Sequence, residues 1–220
     1  MQLELQVQLQ EIPSYITGFI ERHVSFIAPV YVYPGEFEMK GLANGGIRAL
    51  TGQGILSLGK ILADTCVEND LNASWLPSYG PEMRGGTCNC LVVTSNKEIL
   101  SPYFERPTNA IIMNQASLNR FCKKLDTAKV VVLNKSLIEV SDEQKELLKD
   151  VTVIEVNAND IALELGNVKC ANMVMLGAYA KQSTALDIQK LKESVTKKFA
   201  KKPALVEMNL QALERGYQTA

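Results

Sequence analysis

Residues 130–156, VVVLNKSLIEVSDEQKELLKDVTVIEV, decide the fold class of this chain. The runs VVVLN and VTVIEV are predicted strands, and SDEQKELLKD between them has the apolar spacing of a helix. Ser141 followed by Gln144 predicts a capping box at the start of that helix. Strand runs that alternate with helical runs favour an α/β domain with a mainly parallel sheet.

The same alternation extends in both directions along the chain. We therefore predict a Rossmann-like α/β fold, with a mainly parallel sheet flanked by helices and a helical C-terminus. The further predicted strands are GIRAL (46–50), WLPSYG (75–80), TCNCLVV (87–93) and AIIMN (110–114), and QLELQVQL (2–9) alternates like a half-buried strand. The further predicted helices are ILSLGKILADTC (55–66), SLNRFCKKL (117–125), NDIALEL (159–165), ANMVMLGAYAKQ (171–182), DIQKLKESVTKKFA (187–200) and PALVEMNLQALERG (203–216).

Composition excludes several classes of protein. The chain has 220 residues, 46% of them apolar, a net charge of −1 and a pI near 6.0. This is enough apolar material for one globular domain, and no basic stripe indicates nucleic-acid binding. The longest apolar run, VSFIAPVYVY, is too short to cross a membrane and contains Pro29. The N-terminus lacks the basic region of a signal peptide, so we expect a cytoplasmic protein without a membrane partner.

The cysteines and the one histidine suggest no catalytic or metal centre. No two of the five cysteines are spaced as C-x-x-C, so neither a zinc site nor an iron–sulfur cluster is predicted. Their odd number and scatter are typical of reduced thiols in the cytoplasm. Cys88 and Cys90 lie two apart in a predicted strand and share one face, so we expect both to be buried, small apolar residues. His23 is the only histidine, in the least regular segment, so we name no catalytic residue and no metal ligand.

A glycine turn, Gly52-Gln53-Gly54, lies between a predicted strand and a predicted helix. Backbone N–H groups at a helix start can hold a phosphate, and glycines allow close approach. The dinucleotide fingerprint requires a third glycine three residues after Gly54, and Ser57 stands there instead. A phosphate-binding loop and a tight structural turn therefore explain this segment about equally well.

Three separated motifs resemble the gamma subunit of 2-oxoacid:ferredoxin oxidoreductases. They are GQGILSLGKILADTC, then WLPSYGPEMRGGTCNCLVVTS with EILSP behind it, and then LGNVKCANMVMLGAYA, with ALERG closing the match. The match covers roughly residues 46–216, and the loop sequence SYGPEMRGG is most similar to the 2-oxoglutarate branch. Residues 1–45 have no counterpart in the family. They are either a genuine extension of uncertain structure or the product of a wrong start or reading-frame error.

The resemblance implies a subunit that acts only within a complex. Such a complex converts a 2-oxoacid, here 2-oxoglutarate, and coenzyme A to acyl-CoA and carbon dioxide, and it reduces ferredoxin. The expected partners are the alpha and beta subunits and a ferredoxin-like delta subunit. Thiamine diphosphate, magnesium and iron–sulfur clusters belong to those subunits, and this chain carries none of them. The alternative is a free-standing nucleotide-binding α/β protein, a dehydrogenase or a regulator, that uses TGQG for phosphates.

The loop SYGPEMRGG is the second candidate site. Arg84 offers a planar fork of donors suited to a carboxylate or a phosphate, and the glycines that follow it permit close approach by a partner. We expect the loop to face a neighbouring subunit or the phosphates of coenzyme A. The alternative is that Glu82 and Arg84 pair locally and only brace the loop. The loop residues singled out are Ser78, Tyr79, Gly80, Pro81, Glu82, Arg84, Gly85 and Gly86.

Overall fold

The computed structural model describes residues 5–7, 30–32, 54–79, 88–183 and 186–220. The chain divides into two compact units, Met1–Gly46 and Ile47–Ala220. In the first unit, strand β1 (Leu5–Val7) pairs in parallel with β2 (Val30–Val32). Strand β1 lies inside the strand predicted at residues 2–9, whereas the strand predicted at residues 46–50 lies outside the described residues.

The second unit alternates strands and helices, as the sequence predicted. Its strands are β3 (Asn72–Tyr79), β4 (Cys88–Ser95), β5 (Asn109–Ile112), β6 (Val130–Asn134) and β7 (Thr152–Val156). Its α-helices are α1 (Ile55–Val67), α2 (Gln115–Phe121), α3 (Asp142–Leu147), α4 (Ala158–Glu164), α5 (Ala171–Gln182), α6 (Ile188–Phe199) and α7 (Pro203–Thr219). Short 3₁₀ turns lie at Cys122–Lys124, Lys135–Leu137 and Val168–Cys170.

Three parallel strands form the centre of the unit, in the order β5-β6-β7. Successive residues of β6 pack on opposite faces, because side chains alternate along a strand. Val132 belongs to the core on the side of α4, α5 and α7, whereas Val131 and Leu133 belong to the core on the side of α2 and α3. The result is a three-layer α/β/α arrangement, which confirms the predicted fold class.

Strands β3 and β4 differ from the rest because they form an antiparallel hairpin, with Tyr79 opposite Cys88. Eight residues, 80–87, connect them. A parallel pair requires a crossover of a dozen residues or more, so this connection allows only the antiparallel arrangement. The mainly parallel sheet is therefore limited to β5, β6 and β7, and the hairpin packs separately against α1.

Helix α5 is the most deeply buried helix of the described structure. Met173 and Met175, which lie two apart and therefore on different sides of the helix, are both 0% exposed. A helix that is apolar on all sides is expected at the centre of a fold rather than at its surface. Helix α5 contacts the parallel sheet, α1, α4, α6 and α7. It therefore sets the position of the elements that form the candidate site.

Candidate functional site

The last residue of the glycine turn, Gly54, begins helix α1. Its φ of 69° lies in the left-handed region, which favours glycine. The helix has 13 residues, and its first turn contains no acidic side chain. The first backbone N–H groups of a helix have no partner within the helix, and the helix dipole favours an anion there. The local structure therefore has the features that an anion-binding helix start requires.

Asn172, in the first turn of α5, makes a hydrogen bond to this helix start. Its side-chain Nδ2 donates a hydrogen bond to the Gly54 carbonyl at 3.1 Å, across 118 residues of sequence. The Asn172 residue is only 6% exposed. A Cβ atom at Gly54 would collide with the Asn172 amide. Glycine is therefore required at position 54 by the close approach of Asn172 as well as by its backbone angle.

Strand β4 provides a second contact with the same helix start. The Cys90 thiol lies 3.6 Å from the Ile55 carbonyl and donates to it. One turn along the helix, a Cβ atom at Gly59 would collide with the Cys90 sulfur and would lie 3.2 Å from Trp75 Nε1. Helix α1 therefore lies directly on the hairpin, with Gly59 at the point of contact.

The register of the hairpin fixes where the predicted SYGPEMRGG loop leaves β3 and re-enters β4. Tyr79 and Cys88 are opposite each other in the register, so the chain leaves and re-enters the hairpin at one point. That point is two residues along β4 from Cys90, which is about 7 Å at the rise of a strand. The base of the second predicted loop is therefore two residues along β4 from Cys90, whose thiol contacts the first turn of α1.

Beside this helix start lies a cleft of about 1380 Å³. Consecutive residues of β4 (88–94) and of β5 (109–112) line it, together with Ile55, Leu58 and the segment 103–108. Among the described strands, β4 pairs only with β3, and β5 pairs only with β6. The cleft therefore separates two strand edges without partners in the described structure, and it has room for an elongated ligand or an extended peptide.

Two ionisable groups beside the cleft, Cys90 and Tyr179, are held in their neutral forms. Burial raises the pKa of the Cys90 thiol to about 11, although a contact with Trp75 partly opposes the shift. Burial also raises the pKa of Tyr179, whose hydroxyl accepts a hydrogen bond from Asn109 at 3.3 Å. Neither group has the lowered pKa that a nucleophile or a general base would need. These side chains pack the site rather than supply acid–base chemistry.

Several predicted site residues lie outside the described residues. They are Gly52, Gln53, Gly80, Pro81, Glu82, Arg84, Gly85 and Gly86, and their roles stay predictions. Of the others, Gly54 lies in the site, Ser78 is an exposed residue of β3, and Tyr79 is the last residue of that strand.

All five cysteines are described, and no disulfide forms among them. In the ranges that the structure describes, no three His, Cys, Asp or Glu side chains come together as metal ligands.

Asn172 and Cys90 are the functional candidates that the sequence interpretation missed. Asn172 was visible only as one residue of the apolar run ANMVMLGAYA, where a polar residue at the helix start was its single signal. Cys90 was expected to be a buried small apolar residue, and it is half-buried.

No helix in the described ranges is long and apolar enough to span a lipid bilayer.

The family model of the pyruvate ferredoxin/flavodoxin oxidoreductases matches residues 46–219. The ketoisovalerate oxidoreductase subunit VorA of Methanothermobacter thermautotrophicus is 34% identical over 79% of this chain and 35% of its own length. The 2-oxoglutarate synthase subunit KorC of Methanocaldococcus jannaschii is 29% identical over 77% of this chain and 89% of its own length. The chain thus spans about a third of the VorA relative, and nearly all of KorC.

A short segment of the chain is similar to a protein with a different name, a kinase. Butyrate kinase 2 of Clostridium acetobutylicum is 58% identical over 38 residues, which are 17% of this chain and 11% of the kinase.

Solved structures share the fold. The gamma subunit of a keto/oxoacid ferredoxin oxidoreductase from Geobacter sulfurreducens has a TM-score of 0.61 at 21% identity, over 77% of this chain and 92% of that one. The 2-oxoglutarate:ferredoxin oxidoreductase from Magnetococcus marinus has a TM-score of 0.68 at 22% identity, over 77% of this chain and 29% of that one. The predicted resemblance is confirmed, and the chain belongs to the pyruvate ferredoxin/flavodoxin oxidoreductase family, with residues 46–219 as its family domain.

Proposed function

We propose that this chain is the gamma part of a 2-oxoacid:ferredoxin oxidoreductase and works only within that complex. The observation that carries the proposal is the convergence at the start of α1. Gly54 from the first motif, Cys90 from the second and Asn172 from the third contact one another or the same helical turn. Because the three motifs that carry the family resemblance meet at one place, that place is the best candidate for a shared function.

The proposed complex performs oxidative decarboxylation. The 2-oxoacid loses carbon dioxide, its acyl group is transferred to the thiol of coenzyme A, and two electrons pass to ferredoxin. The proposal assigns thiamine diphosphate, magnesium and iron–sulfur clusters to the alpha, beta and delta partners, since the cysteines here are not spaced as cluster ligands. Five cysteines without a disulfide support a cytoplasmic location.

For this chain we propose a role in binding coenzyme A and in holding a partner subunit. Among the described residues, no side chain caps the start of α1 and no acidic residue stands in its first turn, which suits a phosphate group. The loop that contains Arg84 connects β3 to β4, and Cys90 of β4 contacts the first turn of α1. A guanidinium fork suits the same phosphate group or a partner's carboxylate.

The identities of the relatives favour a branched-chain 2-oxoacid as the substrate. The VorA relative, named for ketoisovalerate, is 34% identical, whereas the KorC relative, named for 2-oxoglutarate, is 29% identical. The loop sequence SYGPEMRGG favours 2-oxoglutarate instead. The sequence identity was measured over about 170 residues, whereas the loop motif has only nine. We therefore give the identity more weight and propose a branched-chain substrate, with 2-oxoglutarate as the alternative.

The butyrate kinase match supports the same choice. That kinase is named for a saturated acid with one carboxyl group. Decarboxylation of ketoisovalerate leaves an acyl group of this kind, whereas decarboxylation of 2-oxoglutarate leaves one that carries a second carboxylate. A segment similar to that kinase in the same chain therefore favours an apolar acyl product.

The test is reconstitution of the complex. The chain is co-expressed with the alpha and beta subunits encoded in the same organism, and reduction of a viologen dye is followed with coenzyme A and each 2-oxoacid. We expect activity that depends on both substrates, with a higher kcat/KM for ketoisovalerate than for 2-oxoglutarate. A preference for 2-oxoglutarate would reverse the substrate proposal only. Failure to assemble with those subunits, together with tight binding of NAD by the chain alone, would refute the gamma-subunit proposal.

A further inference from the structure

We propose that the cleft between β4 and β5 receives a further strand, formed by residues 47–50 of this chain, which joins the hairpin and the parallel sheet into one sheet. The sequence predicts a strand at residues 46–50, outside the described residues, and residues 47–50 are the part of it that belongs to the second compact unit, Ile47–Ala220. The inference concerns how this chain completes its own sheet, and it does not depend on the proposed function.

The walls of the cleft are the edges of strands rather than their faces. Consecutive residues of β4 (88–94) and of β5 (109–112) line it. Side chains alternate along a strand, so a cleft against the face of a sheet would be lined by every second residue. An edge presents backbone N–H and C=O groups, and neither of these edges has a partner among the described strands. The volume of about 1380 Å³ also exceeds the range of about 300–1,000 Å³ that is usual for small-molecule pockets.

Helices from both layers of the fold cover the cleft. Helix α1 lines it with residues at the spacing of one helix face, namely Ile55, Leu58, Gly59, Leu62 and Cys66. Leu58 belongs to the core on the side of α4, α5 and α7, whereas Leu125, which also lines the cleft, belongs to the core on the side of α2 and α3. A strand in the cleft would therefore be covered on both faces, as the inner strands of an α/β sheet are.

Residues 47–50 are the segment that the connection to α1 brings to this place. Four residue steps separate residue 50 from Gly54, where α1 begins, and four steps span at most about 14 Å. The Cys90 thiol contacts the Ile55 carbonyl at 3.6 Å, so α1 begins next to the first residues of β4. Residues 47–50 must therefore end near the point where β4 begins, which is where an antiparallel neighbour of β4 would end.

The same placement makes residues 47–50 a parallel neighbour of β5. Each of the two strands would lead into a helix that covers the sheet, α1 or α2, and the strands of such units run in the same direction. The segment has four residues, as has β5 (Asn109–Ile112), and three of the four are apolar. Arg48 is the exception. Glu105 lies in the wall of the cleft with its side chain 70% exposed, so a carboxylate is available there for the Arg48 guanidinium.

Hydrogen exchange of the full chain tests the proposal directly. We expect the amides of residues 47–50 to exchange as slowly as those of β6, because both strands would be paired on two sides. Exchange as fast as in the exposed segment 100–103 would overturn the proposal. Light scattering after gel filtration should show that the protected species is a monomer. Protection found only in a dimer would also overturn it, in favour of a strand exchanged between two copies.

Two truncations that differ by eight residues form a matched pair. A chain that begins at residue 46 keeps the segment, and a chain that begins at Gly54 lacks it. We expect the Tm of the first to stay within a few degrees of the parent value and that of the second to fall by about 10 °C or more, because the second exposes two strand edges. Equal Tm values for the two truncations would contradict the proposal.

If the shorter chain does not yield folded protein, Ala49→Pro in the full chain replaces it, with Ala49→Val as the control. Proline removes a hydrogen bond from an inner strand, whereas valine keeps the N–H and favours a strand. Ala49→Pro should therefore melt about 10 °C below Ala49→Val. The same Tm for both variants, or protection of 88–94 and 109–112 only after partner subunits are added, would show that residues 47–50 do not fill the cleft.

Discussion

Gly216 of α7 lies against the backbone carbonyl of Val174 in α5, so closely that a Cβ atom would overlap the oxygen. The relationship is reciprocal, because a Cβ atom at Gly177 of α5 would overlap the carbonyl of Leu213 in α7. The two helices therefore touch backbone to backbone. This contact holds α5 in place, and α5 in turn carries Asn172 to the start of α1.

Replacing Gly216 with alanine should destabilise the protein strongly. The overlapped atoms belong to a helix backbone and cannot rotate away, so the helices must separate at a cost of about 3 kcal/mol. Denaturant unfolding followed by circular dichroism measures the change. Gly166→Ala is the comparison, since no atom lies within 4 Å of its Cβ position and only its φ of +86° is strained, at a cost of about 1 kcal/mol. Equal losses for the two variants would contradict the close contact.

The ion pair between Glu68 and Lys197 should make stability depend on pH in acid. A hydrogen bond from Lys197 and a second from Ser194 lower the pKa of Glu68 below its ordinary value of 4.5. A carboxyl group with a lowered folded pKa stabilises the fold above its unfolded pKa, and this stabilisation is lost as the pH falls through the folded value. Glu68→Gln should therefore lower the Tm at pH 7, and the difference should shrink near pH 3.

A double variant tests whether Lys197 is the cause. In a Lys197→Met background, Glu68→Gln should change the Tm at pH 7 much less than it does in the parent protein. An equal change in both backgrounds would show that the ion pair across α1 and α6 does not stabilise the fold.

The Cys90 thiol should resist alkylation in the folded protein. Burial raises its pKa to about 11, so only about 0.1% of it is thiolate at pH 8. Iodoacetamide labelling followed by peptide mass spectrometry should show Cys90 reacting much more slowly in native protein than in guanidinium. Rapid labelling of native Cys90 would mean that β4 separates readily from α1, and the second contact with the helix start would then be weak.

Arg84 should matter for the complex rather than for the fold of the chain. If its guanidinium meets a buried carboxylate or a phosphate, Arg84→Ala should weaken that contact by about 2–5 kcal/mol, and lysine should restore it only in part. Weaker assembly in gel filtration would indicate a subunit contact, whereas a higher KM for coenzyme A would indicate a ligand contact. Arg120→Ala, an exposed arginine on α2, is the control. A lower Tm as the only effect would favour local pairing with Glu82.

Removing residues 1–45 should leave the family domain folded. The family match begins at residue 46, and the described core belongs to the unit Ile47–Ala220. We expect the Tm of the truncated protein to stay within a few degrees of the parent value, measured by differential scanning fluorimetry. Insoluble protein or a large fall in Tm would show that the N-terminal unit stabilises the second one.

The sequence by itself determined the elements of the second unit. The alternation of VVVLN, SDEQKELLKD and VTVIEV predicted β6, α3 and β7, and the capping box between Ser141 and Gln144 is present. Helix α5 covers the predicted residues 171–182. These features are local, because hydrophobic periodicity and capping act within a few residues, so they can be read without knowing what the segment packs against.

The formation of the site was decided by the tertiary structure. No local rule relates Asn172 to Gly54, or Gly216 to Val174, because each pair is brought together only when α5 packs against its neighbours. A close contact between two elements depends on which of their residues face each other. That pairing is set by the angle and position at which helices cross, and not by the helix propensity of either segment. The sequence therefore determined that Gly54 ends a glycine turn before a helix, and tertiary packing determined that the buried amide of Asn172 donates to the Gly54 carbonyl.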